Sequence, residues 1–209
     1  MSICPLCPRR CQLEEGQVGL CRARVMREGV SRPLGYGKLT AIALDPIEKK
    51  PLARFYPGSR ILSVGSFGCN MGCYFCQNHS IACAGEADVP WQEVGPQALC
   101  EMAWDMKARG NIGLAFTYNE PLLNLEYITD CADLLKPLGL KTVVVTNGCF
   151  HMEAVRELLP RVDAFNIDLK GFTQAWYRRL GGDLNVVKAF ITAAQETSHV
   201  EVTTLVVPG

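Results

Sequence analysis

The chain has 209 residues, of which 48% are hydrophobic, and this is enough apolar material for one large domain with its own core. The 21 Lys and Arg residues equal the 21 Asp and Glu residues in number, so the net charge of zero gives no support for binding to nucleic acids or anionic membranes. No apolar run approaches the roughly 20 residues of a membrane-spanning helix, and the N-terminus lacks the features of a signal peptide. We therefore expect no nucleic-acid partner, no membrane association and a cytoplasmic location.

Eleven cysteines are a high and odd number, and seven of them fall in two groups. Clustered cysteines in a reducing compartment bind metals or act in catalysis more often than they form disulfides. The first group is Cys4, Cys7, Cys11 and Cys21. It lies in a segment with little apolar periodicity, which a bound metal would help to fold. The C-x2-C spacing at its start occurs in zinc ribbons and in iron–sulfur sequences, so both metals remain open for this second site, with a flexible arm of reduced thiols as the alternative.

Residues 25–60 combine short apolar runs with turn residues. The run Val25–Val30 predicts a β-hairpin with Glu28 and Gly29 in its turn. The charged residues 48–50 are interpreted as a solvated loop. We therefore predict that residues 1–60 form a Cys-rich N-terminal extension with a β-rich segment that leads into the main fold.

A regular alternation of strand-like and helix-like stretches begins at residue 61. The strand-like runs lie at 61–67, 112–117, 142–146, 162–169 and 200–207, and helix-like stretches between them begin at Pro96, Pro121, Met152 and Leu184. Units of about 30 residues imply parallel strands joined by right-handed crossovers. Strands this apolar are typical of a sheet that is covered on both faces. We therefore predict an α/β domain over residues 61–209.

The first strand of this domain leads into Gly68–Asn78, which we call the Cys loop. Its three thiols, spaced C-x3-C-x2-C, belong to Cys69, Cys73 and Cys76. Three thiolates suit a [4Fe–4S] cluster with one iron left open, because such clusters usually take four Cys ligands. Zinc is the weaker alternative, since it would need a fourth ligand such as His79 or Cys83. A buried, inert set of cysteines is the remaining interpretation.

Polar or conformationally special residues follow the four later strands. They are Thr117–Pro121, Thr146–Gly148, Asn166–Gly171 and Val206–Gly209. In parallel α/β sheets the carboxyl ends of the strands share one rim and carry the chemistry. One such ending could simply cap a helix, as Asn119 or Asn147 would. Four endings that converge on the Cys loop favour a binding site.

The groups at this rim suit an amino acid that binds the open iron through its amino and carboxylate groups. Glu120 could accept a hydrogen bond from an ammonium, and Lys170 could neutralise a carboxylate. Asp168 lies two residues before Lys170, so a local ion pair between them is the simpler interpretation of both. Thr146 and Asn147 could bond ribose or carboxylate oxygens.

These residues resemble the signature of the radical S-adenosylmethionine (radical SAM) superfamily, whose motif has an aromatic residue before the last cysteine, as Phe75 does here. Beyond that motif, the chain resembles glycyl-radical-enzyme activases such as pyruvate formate-lyase activating enzyme. It is most similar to the radical SAM enzymes called AmmeMemoRadiSam. The matching runs are Cys4–Cys7, Asp45–Pro51, Gly68–Asn78, Thr117–Pro121, Thr146–Gly148, Asn166–Lys170 and Val206–Gly209.

The resemblance implies a partial (β/α)6 TIM-like barrel, with five strands in this chain. It implies that Cys69, Cys73 and Cys76 hold the [4Fe–4S] cluster. The implied contacts to S-adenosylmethionine (SAM) are Phe75, Tyr118, Asn119, Glu120, Thr146, Asn147, Asp168 and Lys170. No residue is assigned a catalytic role beyond the cluster and SAM. Because relatives continue through a sixth strand, the barrel is expected to be truncated at its C-terminal side.

The activity implied by the resemblance is reductive cleavage of SAM to a 5′-deoxyadenosyl radical, which takes a hydrogen atom from a substrate. The activase-like features make a partner protein the expected substrate, with a flavodoxin or ferredoxin as electron donor. The alternative is a metal-binding interaction or electron-transfer module whose barrel is catalytically incomplete.

Overall fold

A computed structural model describes residues 1–207 of the chain. The strands are β1 (Ser2–Ile3), β2 (Gln12–Leu13), β3 (Arg24–Arg27), β4 (Val30–Pro33), β5 (Lys38–Leu39), β6 (Ala41–Pro46), β7 (Arg60–Gly65), β8 (Gln92–Glu93), β9 (Asn111–Phe116), β10 (Lys141–Thr146), β11 (Ala164–Asp168) and β12 (His199–Thr203). The α-helices are α1 (His79–Ala82), α2 (Pro96–Asp105), α3 (Leu125–Leu135), α4 (Met152–Val155), α5 (Gln174–Leu180) and α6 (Leu184–Ala194). Short 3-10 helices cover Ile47–Lys49, Lys107–Arg109, Pro121–Asn124, Lys136–Leu138 and Leu159–Arg161.

The core of the fold is a six-stranded sheet with the order β12-β11-β10-β9-β7-β6. The five strands from β7 to β12 in this sheet pair in parallel, as the alternating pattern predicts, and β6 adds an antiparallel strand at one edge. Within the described residues β12 has no partner on its other edge, so the sheet does not close. The predicted α/β class and partial TIM-like barrel are therefore confirmed.

One face of the sheet is buried beneath helices, chiefly α2, α3 and α6. Leu62, Leu114 and Phe165 on this face belong to the main hydrophobic core, together with Ile128 of α3 and Phe190 of α6. Full burial of an aliphatic or aromatic side chain stabilises the fold by about 1.5–3 kcal/mol relative to its exposed state. This layer therefore fixes the strands whose ends carry the site.

The other face of the sheet is filled by the segment that connects β6 to β7, residues 47–59. Its Ile47, Leu52 and Phe55 are buried in a second apolar cluster with sheet residues such as Ala115. Alternate residues of a strand point to opposite faces, so this cluster lies on the face away from the helices. The connecting segment thus forms a floor inside the half-barrel.

This floor corrects the interpretation of residues 48–50 as a solvated loop. Glu48 and Lys49 are exposed, but only 1% of the Lys50 surface reaches solvent. The Lys50 ammonium pairs at 2.7 Å with the buried carboxylate of Asp45, the fifth residue of β6. A buried Lys needs such a partner because an unpaired charge inside a protein costs several kcal/mol.

The N-terminal extension folds as small antiparallel pairs, β1 with β2 and β3 with β4. The predicted hairpin is confirmed, and its turn residues Glu28 and Gly29 have φ values of 54° and 72°. The segment takes part in the main core through buried residues such as Leu13 and Met26, so apolar packing holds it even though its sequence shows little apolar periodicity. Buried Arg24 links it to α3 by hydrogen bonds to the carboxylate of Glu126 at 2.8 Å.

Two short helices, α1 and α5, were not predicted, and the last strand is shorter than predicted. Helix α5 begins after Thr173, whose hydroxyl accepts a hydrogen bond from the Trp176 backbone N–H at 3.2 Å, and ends at Gly181 with φ 76°. These caps are its main sequence signal, because only Tyr177 and Leu180 are buried along it. The predicted strand 200–207 ends at Thr203, and Pro208 and Gly209 lie outside the described residues.

Among residues 1–207, none of the helices has the length and apolar composition that crossing a membrane would require.

Candidate active site

A cavity of about 330 Å³ opens at the carboxyl ends of the parallel strands. It is lined by all three thiols of the Cys loop and by the strand-end residues Thr117–Glu120, Val145–Asn147, Asp168 and Lys170. Pro51 of the floor, Thr203 at the end of β12 and Leu205 just after that strand also line the cavity. All the predicted site residues of the barrel therefore surround one space whose size suits a small-molecule ligand.

Backbone hydrogen bonds to two other elements hold the Cys loop over this cavity. The Gly68 N–H donates to Ile81 O at 2.9 Å, and the Gly72 N–H donates to Leu180 O at 2.8 Å. Gly68 has φ 84°, and a side chain there would collide with the backbone of Cys21 and the methyl group of Ala23. Only glycine fits this position without strain.

The donor set of the Cys loop suits a cluster better than a single ion. Cys83, the fourth ligand that zinc could take, lines the same cavity, but among the described residues no three or more His, Cys, Asp or Glu side chains, the Cys-loop thiols included, are arranged around a single metal ion. Three thiols around one cavity match a [4Fe–4S] cubane with one iron left open. Burial raises the pKa of the Cys69 thiol and raises that of Cys73 to about 11, so metal coordination is what would remove these protons.

Hydrogen-bond donors surround Cys69 within the loop and across the rim. The Met71 N–H approaches Cys69 Sγ at 3.4 Å, and the Asn147 Nδ2 group does so at 3.7 Å. Asn147 also donates to Asn70 Oδ1 at 2.8 Å, while Asn70 Nδ2 donates to Cys149 O at 2.9 Å. This network joins the Cys loop to the end of β10, and such donors stabilise a thiolate ligand.

The cysteines of the N-terminal extension share one small enclosed cavity. It is lined by Cys4, Cys7, Cys11 and Cys21. Burial raises the pKa of Cys7 to about 12 and also raises that of Cys21. The Cys4 thiol lies 3.2 Å from the Ser31 hydroxyl. Three of these thiols do not come together around a single ion in the described structure, so a metal here stays a prediction.

Glu120 lies at the centre of the rim with 2% of its surface exposed. Its Oε1 accepts hydrogen bonds from the Leu122 N–H at 3.1 Å and the Thr146 hydroxyl at 2.7 Å, and its Oε2 accepts one from the Asn147 N–H at 2.9 Å. Burial raises the pKa of this carboxyl to about 7, and the three donors only partly oppose the increase. Glu120 therefore ties two strand ends together while it faces the cavity.

We expect a pH-dependent difference in stability between the metal-free wild-type protein and its Glu120→Gln variant. The unfolded carboxyl releases its proton near its ordinary pKa of 4.5, whereas the buried carboxyl holds it until about pH 7. The free energy of unfolding of the wild type should therefore fall by roughly 3 kcal/mol relative to E120Q as the pH rises through this window. Urea unfolding at half-unit pH steps measures it, and parallel curves would contradict the expectation.

Lys170 and Asp168 form the ion pair that their spacing suggests, with 2.9 Å between Nζ and Oδ2. Burial lowers the pKa of the Lys170 ammonium, but attraction to Asp168 more than offsets this, so the net shift is upward. The backbone of Lys170 is held by α5, since its carbonyl accepts a bond from Trp176 Nε1 at 2.6 Å. A charged ammonium is thereby fixed at the cavity wall.

Aromatic side chains form one side of the cavity mouth. Phe75 stacks on Trp176 with 6.2 Å between ring centroids and 7° between planes. Tyr74 packs edge-on against Phe75 and is 70% exposed. Phe75 lines the cavity, and Tyr74 does not appear among its lining residues.

Several residues of the site were not predicted from the sequence. They are Asn70, Asn78, Trp176 and the pair of Asp45 and Lys50. The two asparagines lie inside or at the end of the Cys loop, so polar amides beside the thiols were the available signal. Asp45 and Lys50 lay within a run that supported the family resemblance, but their place in the sequence does not show that they are buried together.

Comparison with known proteins extends these observations. Residues 63–209 match the model of the Radical SAM superfamily. An uncharacterized protein of Methanocaldococcus jannaschii is 37% identical over 208 residues, which are 99% of this chain and 61% of the relative. The 7-carboxy-7-deazaguanine synthase of the same organism is 27% identical over 124 residues, or 55% of this chain and 49% of the relative. The chain thus spans about half to three fifths of these relatives.

Two solved structures resemble the chain at low sequence identity. QueE from Escherichia coli has a TM-score of 0.45 and 12% identity, with 80% of this chain and 94% of that chain covered. SuiB from Streptococcus suis bound to S-adenosylmethionine has a TM-score of 0.45 and 13% identity, with 67% and 33% covered. The family match covers most of the chain and includes the Cys loop and every strand end of the cavity. The chain therefore belongs to the radical SAM superfamily, whose members use a [4Fe–4S] cluster and S-adenosylmethionine.

Proposed function

We propose that this protein cleaves SAM reductively and that the resulting radical takes a hydrogen atom from a partner protein, in the manner of glycyl-radical-enzyme activases. The observation that carries the proposal is the convergence of the three Cys-loop thiols with Glu120, Asn147 and Lys170 on one cavity. When bound together, the cluster and SAM supply one-electron cleavage of a sulfonium C–S bond to methionine and a 5′-deoxyadenosyl radical.

Different residues around the cavity would bind the cluster and the separate parts of SAM. Cys69, Cys73 and Cys76 would ligate the cluster. Glu120 and the turn before it would receive the amino group of SAM, while the Lys170 ammonium would face its carboxylate. Phe75 would pack against the adenine, and the cavity walls would exclude water from the reaction.

The decisive experiment is anaerobic reconstitution with iron and sulfide, followed by reduction and incubation with SAM. We expect stoichiometric methionine and 5′-deoxyadenosine, detected by liquid chromatography and mass spectrometry. A protein that holds a reduced cluster yet forms no 5′-deoxyadenosine would contradict the proposal. Adding a candidate partner protein with deuterium at the reacting position would then show deuterium in the 5′-deoxyadenosine.

Replacement of Lys170 by methionine should weaken SAM binding about tenfold or more, the cost of losing one charge-assisted contact. The variant keeps most of the apolar side chain and removes its charge beside the cavity. SAM titration of the cluster-loaded protein measures the effect. Lys188→Met, an exposed change on α6, is the matched control and should bind SAM like the wild type.

An acidic one-electron donor, such as a flavodoxin or ferredoxin, is the proposed redox partner. Exposed arginines lie close to the Cys loop, since the Arg9 Nε donates to Asn70 O at 3.1 Å and Arg178 and Arg179 are on the helix end that binds Gly72. Positive charge near a buried redox centre speeds encounter with acidic partners. Salt dependence tests this partner. Added NaCl screens the attraction between the arginines and the donor, so it should slow reduction of the cluster by the donor.

The second candidate function is a cluster-bearing interaction or electron-transfer module. The observation that favours it is the set of exposed arginines beside the Cys loop, Arg9, Arg178 and Arg179, because such a surface suits docking of a redox partner whether or not SAM is cleaved. A cluster that cycles between redox states without consuming SAM would support this function over the first.

A further inference from the structure

Lys50 of the floor and Asp45 of β6 form a buried charge pair that contacts one residue of the cavity rim. The carboxylate of Asp45 accepts a hydrogen bond from the Tyr118 hydroxyl at 2.6 Å as well as from Lys50. The Lys50 ammonium also lies 4.5 Å from the centre of the Tyr118 ring, within the range of a cation–π contact. Burial raises the pKa of the Tyr118 phenol, so the hydroxyl keeps its proton and donates.

Tyr118 is held in a backbone conformation that a tyrosine rarely adopts. Its φ is 73°, in the left-handed region that favours glycine. Its ring lies across Gly65 of β7, where an added Cβ would come within 2.8 Å of the ring. Such strain persists only where the surroundings impose it, and the polar contacts to Asp45 and Lys50 help to hold this side chain in place.

The turn that contains Tyr118 is joined to both ends of the Cys loop. The Tyr118 carbonyl accepts a hydrogen bond from Asn78 Nδ2 at 2.8 Å, at the end of the loop. The next residue, Asn119, accepts from the Ser66 N–H at 3.0 Å and donates to Phe67 O at 2.9 Å, just before the loop. The turn 117–120 thus connects the floor to the Cys loop through one strained residue.

We propose that Asp45 and Lys50 are positioning residues that act through Tyr118: they hold the turn 117–120 in the geometry that binds SAM over the cluster. The inference rests on the proposed function, because it explains how Asp45 and Lys50 would raise the affinity of this cavity for SAM. It predicts that the pair matters for ligand binding more than for the stability of the fold.

The test replaces both residues, since removing Asp45 alone would leave the buried Lys50 charge unpaired. Lys49, which also donates to Asp45 at 2.9 Å, is exposed and stays solvated when Asp45 is replaced. The variant Asp45→Leu with Lys50→Met and the variant Tyr118→Phe should each weaken SAM binding to the cluster-loaded protein about tenfold, the effect of one hydrogen bond to a charged group. Combined, the changes should still cost about tenfold, because both break the same connection. The matched control is Asp163→Leu with Lys141→Met. This ion pair lies at the end of β10 away from the cavity, so its replacement should leave SAM affinity unchanged.

A second measurement needs no cofactor. Hydrogen exchange of residues 117–120 in the metal-free protein should be faster in D45L/K50M and in Y118F, and unchanged in the control. The proposal would be overturned if hydrogen exchange and SAM affinity were both unaltered in these variants. It would also be overturned if SAM affinity fell about a hundredfold in the combined variant, since the two changes would then act independently. If the wild type itself binds no SAM, the proposed function fails, and hydrogen exchange alone then decides whether the pair holds the turn.

Discussion

A variant with Cys69, Cys73 and Cys76 all replaced by alanine should lose the ~4 iron atoms of a [4Fe–4S] cluster and all cleavage of SAM. The three thiols line one cavity, and no neighbouring group of side chains in the described chain forms an alternative single-ion site. Without them the cavity keeps only the Cys83 thiol, which is too few ligands for a [4Fe–4S] cluster. Iron and sulfide analysis and the visible spectrum after anaerobic reconstitution measure the loss.

Two further variants test whether other cysteines of the chain hold metal. Cys100→Ala with Cys131→Ala removes two buried thiols of helices α2 and α3 and should leave the iron content unchanged. Replacing Cys4 and Cys7 by alanine tests the N-terminal extension, where a loss of zinc or iron would identify the predicted second metal. Full iron content in the triple Cys-loop variant would contradict the cluster assignment.

Gly113→Ala should destabilise the fold more than other single glycine changes in the sheet. Gly113 of β9 is directly opposite Lys141 of β10. A Cβ at this position would lie 2.5 Å from Lys141 N and closer still to its carbonyl oxygen, and backbone atoms of a paired strand cannot move aside. Overpacking of this kind costs about 3 kcal/mol or more, and Tm should fall by roughly 10 °C.

Gly95→Ala is the matched control for this prediction. Gly95 has an extended backbone with φ −66°, and an added Cβ there has no atom within 4 Å. Gly95 is the N-cap of α2, where alanine is a poorer residue than glycine, so the free energy of unfolding of this variant should fall by no more than about 1 kcal/mol. Urea denaturation of both variants gives the comparison, and similar midpoints would show that β9 and β10 are not packed as described.

Hydrophobic pattern and loop composition were sufficient to predict the sheet and the Cys loop. The runs that end near Phe67, Thr117 and Thr146 are apolar because both faces of those strands are covered, by helices on one side and by the floor on the other. The C-x3-C-x2-C spacing predicts a cluster site from the local sequence alone, because three thiols within eight residues can reach one cluster in any fold that bends the loop.

Residues whose roles depend on distant partners were not predictable in the same way. Lys50 was interpreted as solvated because it lies in a charged run, but it is buried against Tyr118, 68 positions later in the chain. Trp176 follows no strand directly and was not assigned to the site, yet it stacks on Phe75 of the Cys loop. Helix α5, which carries it, is too short for its burial pattern to appear in the sequence.

The sequence by itself determined the order of strands and helices, the tri-thiolate loop and the polar strand ends, because periodicity, spacing and capping act between near neighbours. Only the tertiary structure decided which face the β6–β7 segment fills, that Asp45 and Lys50 are buried beneath Tyr118, and how Glu120 ties two strand ends together. Those contacts join residues 26 to 73 positions apart. They form only when the strands pair in register, since burial of a charge depends on what the folded chain places beside it.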